Sequence, residues 1–244
     1  MATVDFVIPL LNEEHVLARS VETLRAFLQE KLPQHKWRIV LADNGSTDGT
    51  LDVAHALVEQ HSQEVSVIHL PERGRGRALR KAWLESDADV VAYMDVDLST
   101  ELEAIPPLVA AITDEGYDVA VGSRLSRRSE TTRSFKRELT SRGYNLLIKL
   151  LFRTQFADAQ CGFKALSRQA AQELVPRIQN QEWFFDTELL ILAEKGGYRV
   201  KDIPVRWVED PDTRVKLTKT ISEDVRGLVR LRFSRIPRRK SALS

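Results

Sequence analysis

The sequence is poor in cysteine and contains no long hydrophobic run. Its single cysteine, Cys161, has no second cysteine with which to form an intramolecular disulfide or a thiolate zinc site. The most apolar stretch, residues 144–152, is interrupted by Lys149 and is shorter than the ~18–20 residues that span a bilayer. Asp5 and Pro9 lie where the apolar core of a signal peptide would be. These absences predict a cytoplasmic protein in a reducing compartment.

Charge of either sign is nearly balanced overall, but it is unevenly distributed. The 244 residues are 43% hydrophobic and 29% charged with a net charge of +1, which is typical of a folded globular protein. Residues 121–142 contain seven basic and two acidic side chains, and residues 226–244 contain seven basic and no acidic ones. Basic zones on an otherwise acidic chain predict contact with phosphates or a membrane surface, although either zone alone is compatible with plain solvation.

Strand-like and helix-like segments alternate along the first half of the chain. Short runs rich in β-branched residues predict strands at residues 3–8, 37–42, 65–70, 90–94 and 118–122. Helical spacing of apolar residues predicts helices between them, at 51–60, 78–84 and 108–112, with an earlier one capped by Asn12. The second half predicts a loop at 123–134, helices at 135–152, 185–193 and 219–235, and strands at 163–166 and 199–208. The pattern is typical of an α/β fold with a mostly parallel central sheet flanked by helices.

Polar and charged clusters follow four of the predicted strands. They begin at Pro9, Asp43, Glu72 and Asp95. Ligands of open parallel sheets bind outside the carboxyl ends of the strands, so we expect the four clusters to meet at one edge of the sheet. Any one cluster alone could be surface decoration, but four in register with strand ends indicate a ligand site.

Asp95 and Asp97 are the candidate metal ligands. Two carboxylates at positions i and i+2 of an extended segment point the same way and provide the oxygen ligands that Mg²⁺ or Mn²⁺ prefers. The alternative is a pair of turn aspartates without a ligand. The glycine- and arginine-rich segment at 74–77 suits a diphosphate, although it lacks a dinucleotide fingerprint and a P-loop. Asp43 either begins a plain turn or accepts a hydrogen bond from a base N–H.

Several motifs together resemble family 2 glycosyltransferases of the GT-A fold. In the first half these are IPLLNEE at residues 8–14, ADNGSTDGT at 42–50 and MDVDLS at 94–99. In the second half, GSR at 122–124, QCGFK at 160–164, WFFDTELL at 183–190 and IPVRW at 203–207 are similar to dolichyl-phosphate glucosyltransferases and mannose synthases. The resemblance runs from about residue 4 to 216. It implies a UDP- or GDP-linked hexose as donor, a polyprenyl phosphate as acceptor, and no nucleic acid partner.

The resemblance also implies roles for individual residues. Pro9, Glu13 and Asp43 would hold the nucleoside, Arg77 would lie near the diphosphate, and Asp97 would be the direct metal ligand, with Asp95 against the ribose and metal. Leu10, Asn12, Asn44 and Gly74 belong to the same substrate-binding set, while Arg124, Arg137 and Lys216 would meet the acceptor phosphate or the donor diphosphate. Three features depart from the family pattern: Asn44 replaces a second aspartate, Ser99 replaces a glutamine ligand, and flanking transmembrane helices are absent.

The chemistry of the acceptor separates the possible reactions. The family inverts at the anomeric carbon, and a phosphate monoester is largely dianionic at neutral pH, so it attacks without a general base and needs cations around it. Transfer to a sugar hydroxyl would instead need a base, for which Asp186 is the candidate; Asp186 is equally well interpreted as a helix N-cap. A nucleotidyltransferase and a non-catalytic nucleotide-binding protein are remoter alternatives. Trp37, Trp83 and Trp207 are expected in the core, and the five histidines show no ligand spacing.

The C-terminal segment predicts membrane contact. We divide the chain into a catalytic domain, residues 1–218, and a basic amphipathic helix and tail, residues 219–244. Ile221, Val225, Leu228 and Val229 follow helical spacing among arginines, so the helix can lie among anionic headgroups and hold the enzyme at the cytoplasmic face of a membrane. The alternative is a helix that docks its apolar face on the catalytic domain.

Overall fold

A seven-stranded sheet forms the centre of the computed structural model, which describes residues 1–126, 129–132, 135–208 and 217–239. Its seven strands are β1 (Thr3–Leu10), β2 (Lys36–Asn44), β3 (Val65–Leu70), β4 (Val90–Met94), β5 (Val119–Ser123), β7 (Phe163–Ser167) and β8 (Val200–Pro204). Two further strands, β6 (Glu130–Thr132) and β9 (Arg206–Val208), form a separate two-stranded sheet. The order is β3-β2-β1-β4-β7-β5-β8, with β7 antiparallel to both neighbours and the other pairs parallel. The predicted α/β class with a mostly parallel sheet is confirmed.

Eight helices pack around this sheet in the part of the chain that the structure describes. They are α1 (Leu17–Lys31), α2 (Thr50–Gln60), α3 (Arg75–Glu85), α4 (Ile105–Thr113), α5 (Phe135–Phe152), α6 (Arg168–Leu174), α7 (Phe185–Gly196) and α8 (Leu217–Phe233). Their apolar faces supply the core; in α1, for example, Leu17, Val21, Leu24 and Leu28 are buried at helical spacing. None of these described helices has the length and apolarity needed to cross a membrane.

The prediction that Asn12 caps the first helix is wrong. The helix begins at Leu17, and Val16 precedes it as the capping residue without a side-chain hydrogen bond. Asn12 has a φ of 58°, and its side-chain oxygen accepts a 2.7 Å hydrogen bond from the backbone N–H of Thr47. The side chain therefore joins the loops after β1 and β2 instead of ending a helix.

The segment predicted as one strand at 199–208 forms two strands in different sheets. β8 is the edge strand of the main sheet and ends at Pro204, a residue that edge strands tolerate because it lacks an N–H. β9 then pairs in parallel with β6, which lies inside the segment predicted as a loop at 123–134. The helix α6 was not predicted, because its seven residues are too few to show a helical period.

β9 ties the C-terminal half of the chain to the loop after β4. The backbone N–H of Val208 donates to the carbonyl of Ser99 at 3.0 Å, and that of Glu101 donates to the carbonyl of Arg206 at 3.1 Å. The strand order reverses between β1 and β4, which is the place where open α/β sheets bind their ligands. The carboxyl ends of β1, β2 and β4 thus meet the start of β7 at one edge.

The predicted core tryptophans have two different environments. Trp83 is 1% exposed and packs against Tyr93 and Phe185, with ring centroids 5.9 Å apart in both pairs. Trp37 and Trp207 are partly buried against the core. The aromatic cluster around Trp83 links α3, β4 and α7, which are the elements that carry the charged residues of the cleft.

Candidate active site

The two candidate metal ligands lie on a tight turn at the carboxyl end of β4. Asp97 is exposed, and its Oδ1 accepts a 2.9 Å hydrogen bond from the backbone N–H of Ser99. The next residue, Leu98, has a φ of 52°, a left-handed conformation that costs a non-glycine residue about 1–2 kcal/mol. A Cβ on Gly162 would lie 1.8 Å from Oδ2 of Asp95, so only glycine leaves room for this carboxylate. A strained turn and a glycine therefore present both carboxylates to the cleft.

The donor set around Asp95 and Asp97 fits a hard divalent cation. Enclosure in the cleft, together with the charges of Asp97 and Asp186, raises the pKa of Asp95 above its ordinary value, whereas Arg75 opposes the rise. Among the described residues, no three His, Cys, Asp or Glu side chains form a ready-made metal cage. Two carboxylates with open positions match Mg²⁺ or Mn²⁺, which take their other ligands from substrate phosphates and water.

A buried ionic cluster lies behind the turn that carries Asp95 and Asp97. The carboxylate of Asp186 is 2% exposed and accepts from Arg75 Nη1 at 2.6 Å and from the Tyr93 hydroxyl at 2.7 Å. The Lys164 ammonium, itself fully buried, lies 2.8 Å from Oδ1, the same oxygen that accepts from Tyr93. Arg75 Nη2 also lies 3.6 Å from Oδ1 of Asp95. The cluster therefore connects Asp186 to Asp95 through Arg75.

The cluster bears on both interpretations of Asp186, the helix N-cap and the catalytic base. Although burial opposes ionisation, Arg75 and Lys164 hold the pKa of Asp186 below its ordinary value. The N-cap interpretation is wrong, because Phe184 is the residue that caps α7 and Asp186 lies in the first turn. A carboxylate with a lowered pKa and three donors around its two oxygens is also poorly suited to remove a proton.

Sequence reasoning missed the two cations of the cluster. Arg75 belongs to the glycine- and arginine-rich segment that suits a diphosphate, but the sequence indicates Arg77, not Arg75, as the residue near that diphosphate. The Arg77 guanidinium instead pairs with Glu72 at the rim, and Arg75 points inward with its guanidinium 4.9 Å from the Trp183 ring. Lys164 had a usable signal, since a lysine inside an apolar strand must find a buried anion or a ligand.

Asp43, the next-to-last residue of β2, lies at the same edge and is completely buried. Its Oδ2 lies 2.8 Å from Nδ1 of His69, the residue directly opposite it on β3. Its Oδ1 is shielded from solvent and has no hydrogen-bond partner. Leaving such an oxygen unpaired costs about 1–3 kcal/mol, so Asp43 is prepared for a ligand that donates a hydrogen bond.

Asn44 holds the loops of the site together. Its side-chain amide donates to the carbonyl of Leu10 at 2.5 Å, and its side-chain oxygen accepts from the backbone N–H of Gly74 at 3.1 Å. An aspartate could not donate to Leu10, which is a physical reason for asparagine here. The Leu10 side chain is buried in the core, and Gly74 has a φ of 149° that suits glycine alone.

The residues after β1 are joined to the loop after β2. Pro9 is partly buried, and the backbone N–H of Asn12 donates to the Ser46 hydroxyl at 2.9 Å. The backbone N–H of Glu13 donates to the Thr50 hydroxyl at 2.7 Å. The predicted nucleoside residues Pro9, Glu13 and Asp43 therefore lie on neighbouring segments at the carboxyl ends of β1 and β2.

Arg124 at the end of β5 forms a bidentate ion pair with buried Asp158. Nε and Nη2 lie 2.7 Å and 3.0 Å from the two carboxylate oxygens, and the guanidinium stacks 5.4 Å from the Trp207 ring. Sequence reasoning did not single out Asp158. The other two predicted acceptor cations are not located here: the Arg137 side chain and all of Lys216 lie outside the described residues.

Comparison with known proteins is consistent with this site. Residues 5–175 match the family model described as glycosyl transferase family 2. Glycosyltransferase AglD of Haloferax volcanii is 35% identical over 219 residues, which cover 89% of this chain and 35% of that protein. Dolichyl-phosphate beta-glucosyltransferase of Drosophila melanogaster is 32% identical over 217 residues, which cover 83% of this chain and 66% of that protein. This chain therefore spans only part of the length of its relatives.

The fold is also found among solved structures. Glucosyl-3-phosphoglycerate synthase of Mycobacterium tuberculosis in complex with UDP superposes with a TM-score of 0.69 at 21% identity, covering 98% of this chain and 82% of that one. The same enzyme with Mn²⁺, UDP-glucose and phosphoglyceric acid gives a TM-score of 0.70 at 19% identity, over 95% and 79% of the two chains. At these identities the likeness supports the fold alone. Because the family model matches residues 5–175, which are more than half of the chain, the chain belongs to glycosyltransferase family 2.

Proposed function

We propose that this chain transfers a hexose from a nucleotide diphosphate sugar to a polyprenyl phosphate, with inversion at the anomeric carbon. The observation that carries the proposal is the state of Asp186, which is surrounded by Arg75, Tyr93 and Lys164. A hydroxyl acceptor would need this carboxylate as a base. A phosphate acceptor is already a nucleophile and does not. The relatives named dolichyl-phosphate beta-glucosyltransferase support the same acceptor class.

The charges of the cleft suit two anionic substrates. Arg75 and Lys164 supply two cations, and Asp186, Asp95 and Asp97 supply three carboxylates. One divalent cation reverses the sign of this group, so donor diphosphate and acceptor phosphate can approach each other. Arg124, fixed by Asp158, would orient the acceptor phosphate from the end of β5.

Asp95 and Asp97 would hold the metal, Mg²⁺ or Mn²⁺. When bound, the metal would stabilise the leaving diphosphate as a Lewis acid. The protein's own part is positional: the Ser99 backbone orients Asp97, and Gly162 leaves room for Asp95. Arg75 would keep Asp95 ionised and aimed at the cleft.

Transfer of radiolabelled sugar tests the proposal. The full chain is incubated with Mn²⁺, a polyprenyl phosphate in detergent, and labelled UDP-glucose or GDP-mannose, and the label is then partitioned between organic and aqueous phases. We expect label in the organic phase with one of the two donors. Asp97→Asn is the matched control, because it removes one charge at nearly constant volume; we expect turnover to fall at least ~100-fold while the fold is kept.

Two outcomes would contradict the proposal. Label transferred only to a soluble sugar would favour a hydroxyl acceptor. Metal-dependent turnover in folded Asp97→Asn would remove Asp97 from the metal site.

We also propose that α5 and α8 lie on an anionic membrane surface, at its cytoplasmic face. Thirteen large apolar side chains are exposed among the described residues, and eight of them lie on these two helices. They are Leu139, Leu146, Leu147, Leu150, Leu151, Val225, Val229 and Phe233. Exposed arginines flank the apolar stripe of α8, and each cation near anionic lipid contributes about 1 kcal/mol.

The C-terminal helix combines both interpretations drawn from its sequence. Leu228 and Leu231 are buried, and Arg230 pairs with Glu188 at 2.7 Å, so one face docks on the catalytic domain. Val225 and Val229 are about half exposed, so a second face of the helix is open to solvent. In this proposal residues 219–244 are the attachment part of the chain and residues 1–218 the catalytic part.

Vesicle co-sedimentation of the full chain tests this surface. The variant Leu150→Ser/Val229→Ser should lose binding to phosphatidylserine-containing vesicles at low salt, and high salt should release the unmodified protein. The matched control is Leu84→Ser, an exposed leucine on α3 that is 38% accessible. Equal binding of all three proteins, or no binding to anionic vesicles at low salt, would contradict the proposal.

A further inference from the structure

The pairing of His69 with Asp43 limits what the base pocket can accept. The two residues face each other across β2 and β3, and Nδ1 lies 2.8 Å from Oδ2. An ionised carboxylate can only accept hydrogen bonds, so Nδ1 must carry the proton in this contact. One of the two carboxylate oxygens therefore already accepts a hydrogen bond from the protein itself.

The other oxygen of Asp43 is the one available to a ligand. Oδ1 is buried without a partner, and the carboxylate as a whole is 0% exposed. The His69 ring is itself about half exposed, so its removal would open the Oδ2 side of the pocket without emptying the core. The two oxygens of Asp43 thus differ, since Oδ2 already accepts from His69 and Oδ1 has no partner.

Nucleobases differ in how many acceptors they need at this place. Uracil presents one ring N–H between two carbonyl groups, so a single carboxylate oxygen satisfies it. Guanine presents a ring N–H beside an exocyclic amino group, which match both oxygens of a free carboxylate. Cytosine presents a ring nitrogen acceptor, which a carboxylate repels. A buried donor without an acceptor weakens binding, so the count of free oxygens is a selectivity device.

We propose that His69 sets the base selectivity of this enzyme, because it donates to Oδ2 of Asp43 and leaves Oδ1 as the one oxygen of that carboxylate without a protein donor, which fits a uracil-type base and disfavours guanine. This inference rests on the proposed function in that the donor is a nucleotide whose base binds at Asp43. His69 is a positioning residue, since it acts through Asp43 and does not touch the reacting atoms.

Nucleotide binding measured by calorimetry tests the inference without any acceptor. UDP, GDP and CDP are titrated in the presence of Mn²⁺ into the full chain, and into His69→Ala and His69→Asn. We expect the unmodified protein to bind UDP at least about tenfold more tightly than GDP or CDP. His69→Ala should narrow the ratio of UDP to GDP affinity by about tenfold, and His69→Asn, which retains a donor, should restore most of it.

Two controls and one kinetic measurement accompany the titrations. His55→Ala changes an exposed histidine on α2 and should leave all affinities unchanged. Thermal melting verifies that each variant is folded. With a working transfer assay, His69→Ala should raise KM for the donor while kcat stays within about twofold, because the reacting atoms are not touched.

The outcomes are separable from those of the lipid-transfer assay. An unchanged UDP to GDP ratio in folded His69→Ala would overturn the inference, as would tighter binding of GDP by the unmodified protein or no binding of any nucleotide. If UDP selectivity depends on His69 but no lipid product forms, the inference stands and the acceptor assignment falls.

Discussion

At the scale of single residues, the site depends on charges that are held in place by other charges. Asp186, Arg75 and Lys164 are separated by up to 111 positions in sequence and meet within 2.8 Å. Removing one member of a buried ion cluster lowers the stability of the folded protein more than replacing the whole cluster, because it leaves an uncompensated buried charge. Substitution of Asp186 should therefore lower stability as well as activity, whereas substitution of a catalytic base would lower activity alone.

We predict that Asp186→Asn lowers both stability and kcat. The loss of stability should be about 3–5 kcal/mol, since Arg75 and Lys164 would share one neutral amide. Tyr93→Phe is the milder control and should cost about 1 kcal/mol, because only one hydrogen bond to the carboxylate is lost. Thermal melting and the pH profile of kcat are the measurements. An unchanged melting temperature together with loss of the acidic limb of that profile would identify Asp186 as a base instead.

Asp202 on β8 makes the stability of the fold depend on pH. Burial, reinforced by the charge of Asp158, raises the pKa of Asp202 to about 6. The folded state therefore binds this proton more tightly than the unfolded chain does, and stability falls as pH rises from about 4 to about 6.

The expected result is that Asp202→Asn is more stable than the unmodified protein above pH 6, by about 1–2 kcal/mol, or about 3–6 °C in Tm. The gain should vanish near pH 4, where Asp202 is protonated in both folded and unfolded chains. Melting curves between pH 4 and 8 measure it. A gain that does not change with pH would show that burial of the charge is not the cause.

At the scale of elements, the three-residue strand β9 connects two parts of the site. It pairs with β6 on one side, and the isolated bridge between Thr100 and Trp207 joins it to the loop after Asp97 on the other. Trp207 also stacks on Arg124. The element thus couples the turn proposed to hold the metal to the cation that would receive the acceptor.

We predict that Trp207→Ala lowers kcat about tenfold and raises KM for the acceptor more than KM for the donor. The stacking contact with Arg124 contributes about 0.5–1 kcal/mol, and the loop after Asp97 loses its neighbour. Trp207→Phe should recover most of the activity. Steady-state kinetics with each substrate varied in turn provide the check; equal changes in both KM values would contradict the coupling.

At the scale of the whole molecule, local patterns predicted much of the fold. Alternating strand and helix periods were enough for β1 to β5 and the helices between them, and the rule on strand ends placed Asp43 and Asp95 at one edge. Insertion of β7 between β4 and β5 could not be predicted, because strand pairing depends on distant contacts that leave no local period. The partners of Asp43 and Asp186 were missed for the same reason.

The C-terminal segment also contributes to global stability, which makes truncation a structural experiment. Leu228 and Leu231 are buried, and Arg239 lies 3.0 Å from Asp118. Removing residues 217–244 should lower Tm by more than about 10 °C, since each buried leucine contributes about 2–4 kcal/mol. Differential scanning fluorimetry measures this. A truncated protein with an unchanged Tm would show that α8 is an independent appendage.

The central position of β7 has a consequence for synthesis on the ribosome. β4 is wholly buried in the finished sheet, yet the strand that covers its open edge is about seventy residues downstream. At about 5–20 residues per second, that edge waits roughly 4–14 s for its partner. During this interval an apolar, unpaired strand is exposed to other nascent chains. We therefore expect the yield of folded protein to depend on chaperone supply and on translation speed between codons 95 and 167.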